Sequence, residues 1–255
     1  MGLVECIWML SHSAEPPPSR EIQRIPPDGT VEIIFHLGDP FEQLTGRRAR
    51  RQPAGMIVGV WTRSMELVAP ASFDTVGIRL RPGAASAFWA EPLTAFSDSV
   101  VDAGALWGRS VDALRDRLAE TPGAEDRMAI IEAFLRARSS HHRRALDGPL
   151  SRIIASRGRA PIDQVAREAG ISNRQLERAF NVHVGVSPKM FSRIVRFQHA
   201  LRHTPGTAGA WVDTALRCGY TDQSHLIRDF TQFAGETPTA LAASTEAVAG
   251  YFRRR

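Results

Sequence analysis

Only two cysteines occur among the 255 residues, Cys6 and Cys218, far apart and outside any CxxC pairing. That scarcity argues against a disulfide framework or a zinc cluster and points to a reducing cytoplasm as the compartment. No apolar run reaches the roughly 18–20 residues of a membrane-crossing helix, so no membrane association is expected. The opening stretch MGLVECIWMLSHSAEPPP lacks the basic start and long apolar centre of a secretory signal. No GxSxG elbow and no Walker loop appear, so the expectation is a protein without catalytic residues, cofactor or metal. With 43% hydrophobic and 23% charged residues, the chain has enough apolar surface for one large domain or two ordinary ones.

Acidic residues are scarce in one part of the chain only. Residues 1–140 carry 15 Arg and Lys against 18 Asp and Glu, whereas residues 141–255 carry 17 against 9. The net charge of +5 is therefore owed wholly to the C-terminal part. A basic segment beside a mildly acidic one is the arrangement of a polyanion-binding module joined to something else.

The break falls in RSSHHRRALDGP, Arg138 to Pro149, which is polar, lacks periodicity and closes on Gly-Pro. It divides the chain into residues 1–138, a linker at 139–148, and residues 149–255. Before the break, TVEIIFHL, GMIVGVW, SMELVA and DTVGIRLR read as strands separated by the turn signals PPDG, GDP and RPG. From Gly83 onward the period becomes helical in GAASAFWA, SVDALRDRLAE and AEDRMAIIEAFLRARS, the last with a stripe of Met128, Ile131 and Leu135 flanked by Ile130 and Phe134. Strands followed by helices predict an α+β domain: a small, curled antiparallel barrel with trailing helices. After the break every periodic segment is helical, which predicts an all-α domain.

That C-terminal part repeats itself. Leu176, Arg178, Phe180, Gly185 and Pro188 recur fifty residues later as Leu226, Arg228, Phe230, Gly235 and Pro238. Ala166 and Gly170 recur at forty-nine as Ala215 and Gly219, so the second copy holds one extra residue in its turn. A small residue in a first helix, a glycine to end it, and a Leu–Phe pair four apart in a second helix make a helix-turn-helix, at about 161–184 and 210–234. Ser172 with Gln175 has the capping-box spacing, and Asp222 takes the same N-cap role in copy two. With Leu176 and Leu226 inward, Asn173, Arg174, Glu177 and Arg178 lie outward in copy one, and Gln223, Ser224, Ile227 and Arg228 in copy two. These side chains suit base edges: Arg donates to guanine, Asn and Gln pair with adenine, Glu177 either accepts from cytosine or orients Arg174 or Arg178, and Ile meets a thymine methyl. Between the copies, SPKMFSRIVRFQHALRH reads as a spacer helix, with Phe191, Ile194, Val195 and Leu201 inward and Lys189, Arg193, Arg196 and Arg202 outward.

VAREAGISNRQLERAFNVHVGVSPKMFSRIVRFQHAL followed by ALRCGYTDQSHLIRDFTQFAGETP, within residues 150–241, resembles the DNA-binding domain of the AraC/XylS family of bacterial transcription regulators. The resemblance implies a seven-helix domain whose base-contacting helices fall on Asn173–Arg178 and Gln223–Arg228. The segment PGTAGAWVDTALRCG is longer and richer in glycine than the family pattern, which leaves the start of that helix open. PPDGTVEIIFHLGDPFEQL and VGIRLRPGAASAFWAEPLTAF are similar to the N-terminal domain of a less characterised subset of such regulators, which implies a sensing or dimerising domain, often a cupin-like barrel. The partners so implied are double-stranded DNA, a small-molecule effector, a second copy of the chain, and RNA polymerase if the chain activates.

In the N-terminal half, His36, Trp61, Arg63 and Arg79 are the candidates for lining an effector pocket, set against ordinary strand packing with solvated arginines. No HxH or carboxylate triad accompanies His36, so a metal role is not expected there. GRRARRQP, Gly46 to Pro53, reads as a solvated loop tip, with a DNA contact as the alternative. His199 and His203 have i,i+4 spacing without a third ligand. Three function classes follow: a DNA-binding regulator with a small-molecule or self-associating sensor, a regulator controlled by a protein partner, and an enzyme fused to a DNA-binding domain. The third needs a reactive cysteine in an electropositive cluster, which Cys6 by itself does not supply.

Overall fold

The computed structural model describes residues 2–13, 22–140, 146–203 and 211–241. Part of the linker reading (141–145) and the approach to the second motif (204–210) lie outside the described residues.

The N-terminal half is built on two antiparallel sheets. In the first, β1 (Val4–Ser13), β8 (Ser72–Leu80), β3 (Val31–His36), β6 (Gly55–Val58) and β9 (Val100–Asp102) lie side by side in that order. In the second the order is β2 (Ile22–Ile25), β7 (Met65–Val68), β4 (Glu42–Thr45) and β5 (Arg48–Arg51). The four strands legible in the sequence are β3, β6, β7 and β8. The arginine run 48–51, expected as a loop tip, instead forms the exposed edge strand β5, paired to β4 across Gly46 with φ +61. Glycine at that turn position supplies the backbone a tight hairpin needs.

Alternation along β3 separates two environments. Val31, Ile33 and Phe35 point to the helices, where Val76, Ile78 and Leu80 of β8 join them in the main core. Glu32, Ile34 and His36 point to the other face, toward Met56, Val58 and Met65. Gly77 opposes Ile34 on that second face, and Trp8 of β1 lies directly against it. A Cβ at Gly77 would stand 2.1 Å from the Trp8 ring, so no larger residue fits without moving the strand or the indole.

Three helices, α1 (Ala103–Trp107), α2 (Ser110–Glu120) and α3 (Ala124–Arg138), follow the strands. They bury Val111, Leu114, Leu118, Ile131 and Leu135 completely or nearly so. Two helical expectations need correction. GAASAFWA yields only a 3-10 turn at Ala84–Ala87, entered through Gly83 at φ +82 and ending before buried Phe88 and Trp89. Met128 stays 38% exposed; the first turn of α3 is held by Arg127, which reaches Asp74 at 2.9 Å and the Leu118 and Thr121 carbonyls.

The C-terminal half contains α4 (Asp147–Ala155), α5 (Ile162–Glu168), α6 (Asn173–His183), α7 (Pro188–Arg202), α8 (Trp211–Arg217) and α9 (Gln223–Ala234). Residues 238–241 are helical again, with the Thr237 hydroxyl accepting from the Ala240 amide at 3.3 Å. No helix among the described residues is long and apolar enough to cross a membrane.

The two halves bury residues into one continuous apolar core. The Phe191 ring of α7 packs on Gly29, Gln198 donates to the Pro27 carbonyl at 2.8 Å, and Ser97 donates to the Gly185 carbonyl at 2.5 Å. Beyond α9, Glu236 pairs with Arg24, which also meets Glu66 at 3.0 Å. The strand-rich half therefore touches α7 and the chain just past both α6 and α9.

Candidate nucleic-acid interface

In motif one, α5 buries Val165 and Ala166 and ends at Gly170, φ +68. The Ile171 amide bonds back to the Ala166 carbonyl at 3.1 Å and the Gly170 amide to Arg167 at 3.0 Å, the Schellman closure that a left-handed residue permits. Ser172 then starts α6: its hydroxyl accepts from the Gln175 amide, and the Gln175 side chain accepts from the Ser172 amide at 2.9 Å. This capping box sets the helix phase, so Leu176 and Phe180 are fully buried. Asn173, Arg174, Glu177 and Arg178 are left exposed on the first turn and a half.

Motif two repeats this construction. Ala215 is fully buried in α8, Gly219 has φ +82, and the Tyr220 amide bonds to the Ala215 carbonyl at 2.9 Å. The Asp222 carboxylate caps α9 by accepting from the His225 amide at 2.7 Å. The cap comes three residues after Gly219 but only two after Gly170, and the added position lets Tyr220 bury its ring edge-on to His225 at 5.1 Å. Leu226 and Phe230 are fully buried, Gln223, Ser224 and Arg228 are exposed, and Ile227 is half-buried.

One grouping was misread from the sequence. Arg193 and Arg196 of α7, expected outward, turn onto Asp229 of α9, whose carboxylate is 1% exposed. Arg193 donates to Asp229 Oδ1 from Nε at 3.1 Å and from Nη2 at 2.7 Å, and Arg196 sits over the Tyr220 ring at 4.9 Å. Burial pushes the Tyr220 phenol up, and the Asp229 carboxylate adds to the shift. Helical spacing marks which side of α7 the arginines occupy, but not that another helix brings a carboxylate to meet them.

Residues 165–244 match the family model of a helix-turn-helix domain, and residues 2–102 match a domain of unknown function, DUF6597. The HTH-type transcriptional activator RhaS of Escherichia coli O139:H28 is 33% identical over 67 residues, spanning 25% of this chain. The match covers 23% of RhaS, so the chain spans about a quarter of that curated relative. A probable AraC family transcriptional regulator from Rhodopseudomonas palustris is 30% identical, over 40% of this chain and 97% of that one (TM-score 0.36). The chain belongs to the AraC/XylS family. The fold as a whole is similar to that of ToxT of Vibrio cholerae: TM-score 0.51 at 9% identity, over 93% of this chain and 97% of that chain. A further ToxT structure, at TM-score 0.50 and 8% identity over 93% and 98%, holds (E)-4-(8-methylnaphthalen-1-yl)but-3-enoic acid.

The N-terminal candidates are not brought into one cluster, and the segment carrying Trp61 and Arg63 meets α9 where Gln232 donates to the Thr62 carbonyl at 3.3 Å. His36 and Arg79 sit on the same face of the first sheet but four rungs apart, opposite Thr75 and Glu32 respectively. Arg79 pairs with Glu32 at 2.7 Å and Asp28 at 3.0 Å, and the Trp8 indole also donates to Glu32 at 3.3 Å. Burial pushes the Glu32 carboxyl up while the Arg79 guanidinium pulls it down. Trp61 packs on the apolar cluster of Ile34, Met56, Val58 and Met65 between these ends, and Arg63 is exposed.

His36 is 3% exposed and lies between the Thr75 hydroxyl at 3.1 Å and Gln52 Oε1 at 3.2 Å. With Gln52 presenting an acceptor, Nε2 donates and Nδ1 accepts from Thr75, which is the neutral ring. Burial drives its pKa down to about 4. The unfolded chain therefore takes up a proton that the folded one refuses, and stability present above about pH 6.5 is lost as pH falls toward 4. His36→Gln should remove about 3 kcal/mol of that loss, read as a flatter dependence of urea-unfolding stability on pH. His199, also pushed down to about 4 mainly by burial, leaves a residual slope of the same sign. An unchanged slope in His36→Gln would refute the assignment.

Proposed function

We propose that this protein is a sequence-specific DNA-binding transcription regulator. The observation carrying this reading is the duplicated construction itself: in each copy a cap and a buried Leu–Phe stripe leave a short polar edge exposed at the start of the second helix. Asn173, Arg174, Glu177 and Arg178 form the first reading edge and Gln223, Ser224, Ile227 and Arg228 the second, with Ile227 contributing only the exposed part of its side chain. Residues 149–255 act as the DNA-binding domain and residues 1–138, ahead of the 139–148 linker, as the domain that receives the signal.

That signal is a small molecule or self-association. The compound held by ToxT, a carboxylic acid with an aromatic body, supports the first route by similarity of fold. In this chain Trp61 on its apolar cluster and His36 and Arg79 at the two polar ends are the side chains to change. Regulation by way of RNA polymerase contact belongs to the activator form of this reading. No catalytic role is assigned to any residue.

Sites are found by selecting bound duplexes from random DNA. On the selected site, Arg178→Ala or Arg228→Ala should cost about 1–3 kcal/mol and relax preference at one base position. An equal loss on every sequence would place those guanidinium groups on phosphate instead.

A further inference from the structure

Motif one and motif two are attached to α7 by different means. Only residues 184–187 separate α6 from α7, and the Phe180 and Phe191 rings meet edge-to-face at 5.9 Å across that turn. Motif two meets α7 through space. Phe197 packs on Phe230 at 5.1 Å and Phe233 at 5.3 Å, and beside this apolar contact lies the buried ionic one. Arg193 holds Asp229 with two donors and Gln232 Oε1 at 2.7 Å with the same Nη2, while its guanidinium stands 5.1 Å over the Phe233 ring. Arg196 approaches Asp229 Oδ2 at 3.9 Å and covers Tyr220, in the turn of the motif. The position fifty residues before Asp229 is Ala179, so motif one has no counterpart.

Packed aromatic rings tolerate small slides and rotations. A carboxylate gripped by a planar guanidinium does not, because its donors act only along fixed directions. From this asymmetry the geometry points to Asp229, with Arg193 and Arg196, as a positioning clamp that sets the distance and angle between the two reading helices and thereby the spacing of DNA half-sites the protein accepts. The inference rests on the DNA-binding reading above. Asp229 touches no base. It acts through α9, by fixing where Gln223–Arg228 stand relative to Asn173–Arg178.

A buried ion pair is weak evidence of stability, since well-packed apolar residues can replace it without loss, whereas removing one partner strands a charge. Two variants of the full chain use this difference: Asp229→Asn, and the double change Arg193→Met with Asp229→Leu. Each is measured by thermal melting and by affinity for a selected site rebuilt with base pairs added or removed between the two contacted segments. The wild type should lose about tenfold or more in affinity when the spacing changes by one base pair. Asp229→Asn should melt lower than the wild type, and the Met/Leu variant, which keeps Arg196 over Tyr220, should melt above Asp229→Asn. Both should bind the spacing series with affinities within about threefold of one another. A Met/Leu variant that folds and keeps the wild-type spacing preference would overturn the clamp and leave the contact merely structural. A wild type that selects DNA but shows no spacing preference would overturn it as well. A wild type that selects no DNA at all would overturn the functional reading itself.

Discussion

Raising the salt from about 50 to 200 mM should weaken specific DNA binding by this protein roughly 10³–10⁵-fold, the range for six to ten phosphate contacts. The cause is counterion release: each cationic side chain that meets a phosphate frees an ion condensed on the duplex, and added salt opposes that release. The C-terminal part supplies the cations, with 17 basic against 9 acidic residues from 141 onward. Not all of them are available. Arg152 pairs with Glu168, Arg167 with Asp163, and Arg193 and Arg196 face the buried Asp229. Outside the two reading edges, Arg157, Arg159, Lys189, Arg202 and Arg217 stand exposed, and they bring the loss close to the lower end of that range. A slope of log affinity against log salt near zero, measured by fluorescence anisotropy on a selected duplex, would remove DNA from the account.

Phe230→Ala should destabilise the full chain by about 3–5 kcal/mol in urea unfolding, among the largest losses a single core truncation produces. The Phe230 ring is fully buried and lies 5.1 Å from Phe197 on α7 and 5.8 Å from Trp211 on α8, so it joins all three helices that set the second motif. Truncation leaves a cavity that backbones so close together cannot collapse to fill. Stability is the first readout and DNA binding the second, because a loosened α9 presents Gln223–Arg228 in no fixed place. A loss below about 1 kcal/mol would show that the site repacks and that Phe230 is not the keystone of motif two.

The C-terminal half was legible because its determinants are local. The capping box at Ser172 and Gln175, the Asp222 cap, and the left-handed Gly170 and Gly219 all act within four residues of themselves, and each appears in the structure in the role its spacing implies. The buried Leu176–Phe180 and Leu226–Phe230 pairs follow from helical period once the caps set the phase. Strands β3, β6, β7 and β8 were legible for a similar reason, being short apolar runs between strong turn signals. Strand β1 was not: VECIWMLSHS has no turn to announce it, and it is a strand because β8 offers it nine rungs of backbone partners. Strand β5 misled through its arginines, which suit a solvated edge as well as a loop.

Alone, the sequence determined the duplicated motif, its caps, the polar edges left outward, and the charge asymmetry, since each depends on neighbours along the chain or on simple counting. Tertiary structure decided the rest. It turned Arg193 and Arg196 inward to Asp229, set Trp8 over Gly77, and laid α7 on Pro27 and Gly29. Those contacts join residues tens to more than a hundred positions apart, and their energy comes from burial and directed charge that exist only once distant segments have met. No periodicity in a single segment can carry information about a partner that arrives from elsewhere.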